Sequence, residues 1–424
     1  SLFSGVLMIV GTVAVMLWYC WQLTLLSLVT VALTLITTKL MAGKMRQFSR
    51  ERQRLLGMLN SNVEEMVSGY HTVVAYNHQD ASEREFRETS DGLTKAGVRV
   101  GSLGGIFGPI MNCVGNLGFV VIAAFGGYFA IHGIISVANA QDVKILGRGI
   151  IDGSDYSAWN QPGSTARVPL DLNHSKDITV EGIIFANSNC WNLNSYSSRN
   201  VQIDNVKIIS GRQNGDGFTF QSCTDHLVTN SFARTWDDSL VIKNYSGSTK
   251  GITFRNMQVW TDLAQSMEIG YETDKGLTLD PEISDVLFEN ITVLYNFHKP
   301  VISIHNSDDA CVHDITYRNI IVENAFMQGD GGINRELIEM TLQNSSWSTV
   351  RDEFGSIDSV LIDGLTVMNT LDGKIPPSRL AGQSEENRIT HVTLRNISIL
   401  GRPMSDLKEM KLSVNEYCEG IVIE

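Results

Sequence analysis

The sequence predicts two unlike parts in one chain: an α-helical membrane segment of three spans over residues 1–137, then a right-handed parallel β-helix over 138–424. Three observations predict this. No charged residue occurs from Ser1 to Thr38 or from Gly101 to Gln141, and runs that long and apolar read as bilayer-spanning helices. From about residue 140 a motif with period-two alternation, the signature of strands, returns at intervals of 23, 26, 25, 34, 29, 45 and 32 residues. Charge divides with the pattern: residues 1–99 hold ten Lys and Arg against eight Asp and Glu, the remainder 23 against 38, so +2 gives way to −15.

The first apolar run is long enough for two short spans of roughly 17 residues each. Trp18, Tyr19, Cys20, Trp21 and Gln22 divide it, and Trp and Tyr favour the membrane–water interface. The third span falls at about 110–132. A signal peptide fits poorly, because there is no basic start and the stretch is too long; a buried core helix is disfavoured by the same length. Lys39, Lys44, Arg46, Arg50, Arg52 and Arg54 follow the second span against one acid, Glu51, which marks a cytoplasmic segment. Helical spacing without Pro over 39–99 predicts helices that continue beyond the bilayer. The third span then carries the chain out, so everything after about residue 135 is expected to be extracytoplasmic.

Trp21 to Thr24, Asn62 to Gly69 and Val73 to Asn77 carry a resemblance to the transmembrane domain of ABC exporters. The resemblance implies the third to fifth spans of that family, with a coupling helix near Gly69–Asn77 that docks on an ATPase domain. Three spans stand where the family has six. No G-x-x-x-x-G-K-[ST] loop occurs, so no ATP site is expected in this chain and the segment is expected to be transport-incompetent. A start at Ser1 without Met reads as a fragment.

In the second half the motif begins at Ile178, Val201, Leu227, Ile252, Val286, Ile315, Val360 and Val392. One rung cannot bury its apolar face alone, so neighbours must stack into a solenoid. A leucine-rich repeat would need a shorter, steadier period. Asn205, Asn256, Asn290, Asn319 and Asn396 share one turn position and predict an internal Asn ladder; the sequons at Asn290 and Asn396 are read as part of it. Cys190, Cys223, Cys311 and Cys418 show no metal-ligand spacing and read as buried small apolar residues rather than disulfides. No metal and no cofactor is implied. The acidic balance argues against nucleic acid as a partner.

Further strands align through apolar pairs: Trp191 and Leu193, Phe218 and Phe220, Leu240 and Ile242, Met267 and Ile269. This register puts Asn189, Asp216, Asp238 and Gln265 in one column, with Asp237 beside Asp238. Rungs lie about 4.8 Å apart, so Asp216, Asp237 and Asp238 should cluster. Adjacent residues of a regular strand face opposite ways, so the Asp pair must sit at a strand start or bend if both face solvent. Close carboxylates raise one another's pKa, and a protonated acid beside an ionised base is what glycosidic hydrolysis needs. Turn-capping aspartates are the plainer alternative.

These residues resemble glycoside hydrolases of the pectin-lyase-like β-helix class. Gly147 to Gly153 looks like an early rung of polygalacturonases, Asn214 to Gly217 like their first catalytic motif, and Asp237-Asp238 like the second. The resemblance implies an inverting mechanism with Asp237 as general acid and Asp216 and Asp238 activating water. Polygalacturonases carry Gly-His-Gly on the next rung, where this chain has Ala264 to Gly270, and Arg-Ile-Lys one rung later, where it has Pro300 to His305. Both departures put pectate in doubt. Asp237-Asp238 with Ile242 to Tyr245, then Val259-Trp260 and Ile269 to Tyr271, looks closer to the dextranase and isopullulanase group. Trp236, Trp260 and Tyr271 are candidate sugar-stacking faces, and Lys243 and Glu268 candidates for sugar hydroxyls.

The expected partner is a polysaccharide or oligosaccharide, with the membrane held through 1–137. Three readings stay open beside hydrolysis: a lyase, which would use Ca²⁺ and a basic residue, a non-catalytic glycan-binding β-helix, and a piece of exporter. Ile134 to Gln141 is no Gly/Pro/Ser-rich linker, and relatives cap the first rung where the exporter-like fragment stands here. Both features fit a chimeric or mis-joined chain; a separate β-helix would be secreted or periplasmic.

Overall fold

The structure is a computed structural model and describes residues 21–75, 77–131, 135–158, 161, 164–328, 335–351 and 353–424. The chain divides into two compact units, Ser1–Phe129 and Ala130–Glu424.

The first unit is built on two long helices, Trp21–Ser68 and Gln79–Ile131, with a short helix Tyr70–Ala75 between them. At about 1.5 Å per residue the first is more than twice the length of a hydrocarbon core of roughly 30 Å. The two run antiparallel: Gly118 meets Thr30, Met111 meets Thr38, Gly104 meets Met45 and Gly92 meets Leu55. A Cβ on Gly118 would stand 3.1 Å from Thr30, so the missing side chain lets the backbones close up. Thr30, Thr34 and Thr38 return their hydroxyls to carbonyls three or four residues back, which satisfies them inside an apolar run. Among the described residues one helix, Ser27–Ser68, is long and apolar enough to cross a membrane, and its Leu28, Val29, Val31, Leu33, Leu35 and Ile36 are exposed. The expected first span and Trp18 to Cys20 lie outside the described residues. The expected third span falls on the helix Gln79–Ile131, which carries Pro109, with His132 outside the described residues.

The second unit is a parallel coil. Among the described residues ten short strands form one sheet in chain order, running through Leu193–Tyr196, Phe218–Gln221, Leu240–Lys243, Met267–Tyr271, Ile302–Asn306 and Ile338–Leu342 to Ser378–Ala381 and Leu412–Val414. A sixteen-stranded sheet carries the long strands Thr249–Thr261, Glu282–Asn296, Cys311–Ala325, Ser356–Thr370 and Ile389–Ile399. Among the described pairings only Arg402–Pro403 is antiparallel, on the last long strand, where the chain turns back over the end of the coil.

Alternation drives this arrangement. Leu193, Phe218, Leu240, Met267, Ile302 and Ile338 stand in register and are all fully buried. Ile252, Val286, Ile315, Val360 and Val392 do the same in the second sheet. Inside, Phe220, Phe254, Phe288 and Tyr317 stack with centroids 5.4, 5.3 and 4.8 Å apart. One expected register is off by a residue: Ile252 pairs with His226, not Leu227. His226 fills an interior position, bonded to Ser195 Oγ at 2.9 Å and to the Thr224 carbonyl at 3.0 Å, and burial holds its imidazole down to about 4.

The Asn ladder exists in part and runs along the outside; Asn205 instead accepts from Lys207, and Asn396 donates to Asp363. Asn256 donates to Asn230 at 3.1 Å, Asn290 to Asn256 at 3.1 Å and Asn319 to Asn290 at 2.8 Å, and all four side chains are exposed. The cause is backbone conformation: Asn230, Asn256, Asn290 and Asn319 have φ of 51, 56, 55 and 54°, which Asn tolerates because its amide bonds locally. Among the described cysteines no disulfide forms; Cys223 is buried as expected, whereas Cys311 is exposed and Cys190 and Cys418 are half-buried.

Candidate active site

Asp216 stands two residues before the strand Phe218–Gln221, Asp238 two before Leu240–Lys243, and Gln265 two before Met267–Tyr271. The register Phe218–Leu240–Met267 therefore brings these three into one column. Asp237 and Asp238 lie between the strands Phe232–Thr235 and Leu240–Lys243, at the bend that lets neighbours both reach one side. Gly217 makes the rungs fit: a Cβ there would sit 2.2 Å from the Ser239 carbonyl oxygen, and its N–H donates to the Asp238 carbonyl at 2.7 Å.

Asn189 is not in the column. Phe218 pairs with Leu193, which shifts the expected register by two and puts Trp191 beneath Asp216. The large apolar Trp191 imitated an inward residue in the sequence. Asn189 instead ties down a loop: its amide donates to the carbonyls of Ser157 and Thr165 at 2.8 and 3.0 Å, and its oxygen accepts from Arg167 N at 2.9 Å.

Asp216 and Asp238 are 4% and 7% exposed, and Asp237 is the half-exposed member of the three. Asp238 Oδ1 accepts the Gln265 N–H at 2.8 Å, and Asp237 Oδ1 accepts the Asp238 N–H at 3.1 Å. Burial, then the Asp237 carboxylate, push the Asp216 carboxyl well above the usual range, with Lys243 opposing. Burial, Asp237 and Glu268 do the same to Asp238. Burial raises Asp237, against Lys243, the Asp238 N–H and Lys299. Lys243 acts on all three; its ammonium lies 2.8 Å from Glu272 and 5.0 Å from the centre of the Trp191 ring. Against its burial, Glu272 and Asp216 raise Lys243, so it stays charged. The arrangement is a set of acids that burial and mutual repulsion push to hold protons beyond the ordinary carboxylate range, with the Lys243 cation opposing that shift.

Several expected sugar contacts are taken by the protein itself. Glu268 is fully buried, with its oxygens on His305 and Ser303. Lys243 is 6% exposed and paired with Glu272. Trp260 stacks on Tyr295 at 4.9 Å, takes Arg234 at 5.6 Å and donates its indole N–H to Asp262 at 2.8 Å. Tyr271 stacks on His305 at 4.3 Å and accepts from Gln265 Nε2 at 3.0 Å. Trp236, like Trp191, is half-exposed beside the acids. Trp191, Glu272, His305, Glu339 and Arg379 surround these residues without having stood out in the sequence as part of the site. For Glu339 the available signal was a charged residue flanked by apolar ones, Ile338-Glu339-Met340, on a strand whose other face is core; the other four carry no such pattern.

Comparison with known proteins divides the chain in the same way. Residues 128–411 match glycosyl hydrolases family 28, and residues 1–141 match the ABC transporter transmembrane region. The first part is 35% identical over 139 residues to the uncharacterized ABC transporter ATP-binding protein YfiC of Bacillus subtilis, covering 33% of this chain and 23% of that one. It is 31% identical over 141 residues to a fatty acid ABC transporter ATP-binding/permease protein of Mycobacterium bovis, covering 33% and 22%. The chain thus spans less than a quarter of these transporters. Among solved structures, a hyperthermoactive exopolygalacturonase from Thermotoga maritima is similar with TM-score 0.38 and 16% identity over 68% of this chain and 71% of that one. A family 28 exopolygalacturonase from Yersinia enterocolitica is similar with TM-score 0.44 and 13% identity over 66% and 60%.

Proposed function

The chain belongs to glycosyl hydrolases family 28, and from that membership we propose that it hydrolyses O-glycosidic bonds of a polysaccharide at Asp216, Asp237 and Asp238 by an inverting mechanism. The observation that carries this is the gathering of three raised carboxyls around Lys243 at the start of adjacent rungs. Asp237, the most accessible of the three, protonates the leaving oxygen. Asp216 and Asp238 activate water, with the Lys243 charge favouring the ionised form of one of them. Inversion follows because water, not a carboxylate, attacks the sugar carbon.

The substrate in this reading is a neutral glycan. The one buried lysine at the acids is already paired with Glu272, and Ser303 and His305 occupy the positions where the polygalacturonase resemblance would place a basic pair. A uronate carboxylate would meet Asp216, Asp237 and Asp238, and the buried cation at these acids, Lys243, is already paired with Glu272. Trp191 and Trp236 offer flat apolar surface for a sugar ring.

The coil is right-handed, as parallel crossovers almost always are. In this reading residues 1–137 belong to a membrane segment like that of ABC exporters, and 138–424 to the hydrolase on the extracytoplasmic side. The abrupt junction supports a fused or mis-joined reading frame. Sequencing across codons 120–160 of the source DNA tests that: absence of a contiguous product separates the halves.

Replacing Asp237 by Asn tests the site. Reducing-sugar release from dextran-like and pectic glycans should fall at least a hundredfold, the usual weight of a general acid, with the melting transition kept. Unchanged activity, or unsaturated products lost with a chelator, would contradict the reading.

A further inference from the structure

A line of alternating charge crosses the rungs beyond the acids. Met267 and Ile269 point into the core, so Glu268 between them points out, and Ser303, Glu339 and Arg379 stand in register with it. His305, two residues past Ser303, shares that face. Its Nδ1 is 2.8 Å from Glu268 Oε1 and its Nε2 3.0 Å from Glu339 Oε2. Arg379 Nε donates to the other Glu339 oxygen at 3.1 Å. Glu268, His305 and Glu339 are 0, 4 and 2% exposed. An ionised carboxylate only accepts, so a ring nitrogen facing each of two carboxylates must carry a proton, and the ring is an imidazolium. Minus, plus, minus, plus sums to zero, which makes four charges tolerable at this depth.

Two routes lead from His305 to the acids. Glu268 is the next negative charge after Asp237 to act on Asp238. The His305 ring also lies flat on Tyr271, at 4.3 Å and 2°; the Tyr271 hydroxyl accepts from Gln265 Nε2 at 3.0 Å, and Gln265 N donates to Asp238 Oδ1 at 2.8 Å.

We infer that His305 is a positioning residue of the acid site: as an imidazolium clamped by Glu268 and Glu339, it fixes the negative charge beside Asp238 and the Tyr271–Gln265 contact that orients it. The inference rests on the reading of Asp237 and Asp238 as the hydrolytic pair. Glu268, Glu339 and Tyr271 are the titratable groups that face the ring, and Arg379, Asp238 and Tyr317 stand behind them. Against its burial, Glu268 and then Glu339 push the imidazole up to about 10, so it holds its proton throughout the working range and donates none to substrate.

The test uses the full chain in detergent with nitrogen-labelled histidine. The NMR signal missing from His305→Gln should be doubly protonated in the wild type near pH 8 and titrate only toward about 10. Titration near 6.5, the ordinary imidazole value, would overturn the inference. With a glycan the wild type cleaves, the pH profile of kcat is the second readout. His305→Gln removes a positive charge and should move the apparent pKa of the Asp pair up by roughly one unit. Glu268→Gln removes a negative one and should move it down, with KM within about threefold in both. Profiles that stay in place, or move the same way, would reduce His305 to packing. If His305→Gln does not fold, Glu268→Gln and the wild-type signal still decide. A chain that cleaves no tested glycan while its histidine reads as charged sinks the acid-site reading and the positioning role with it, leaving only the ion chain.

Discussion

Asp216 and Asp238 work against the fold that holds them. Both carboxyls are raised, chiefly by burial, so the folded state keeps their protons to higher pH than the unfolded chain does. The sign follows: their contribution is intact below the unfolded value of about 3.9 and is lost as pH rises through the raised folded value. Asp238→Asn should therefore stabilise the protein by roughly 1 kcal/mol near pH 8 and by less near pH 4, while activity is lost. Thermal melts at both pH values check this; a destabilised variant near pH 8 would mean the carboxylate is needed for packing. The shared column of Asp216, Asp238 and Gln265 was legible in the sequence because period-two alternation fixes a column wherever flanking residues are apolar. Asn189 was misplaced because Trp191 is apolar yet not inward. His305 was invisible as a partner of Glu268, because their contact depends on the length of the loop between two rungs, which alternation does not encode.

The rung is the unit of the second part, and its outer bend is set by backbone as much as by side-chain bonds. Asn256 has φ of 56° and an exposed amide in the ladder. Asn256→Gly should change stability by less than about 0.5 kcal/mol, whereas Asn256→Val should lose about 1–2 kcal/mol, since a β-branched residue is strained there. Denaturant midpoints distinguish the two; equal losses would assign the ladder's value to its amide bonds. The long strands were legible from the first apolar residue of the motif each carries, Ile252, Val286, Ile315, Val360 and Val392. The rung at His226 slipped because a histidine stands at an interior position, satisfied by Ser195. The ladder was placed inside because sequence gives the turn position of Asn but not the sign of φ.

At the scale of the molecule, two compact units meet two separate family matches, which overlap over 128–141. The change from charge-free runs to alternation made that division readable without coordinates. Membership of glycosyl hydrolases family 28 settles the class of chemistry. The most direct measurement is time-resolved proton NMR of the first sugar the full chain releases from a neutral glycan. An inverting site at Asp237 releases a sugar of anomeric configuration opposite to that of the cleaved linkage, and Asp237→Asn releases none. Retained configuration, or the same product from Asp237→Asn, would contradict it.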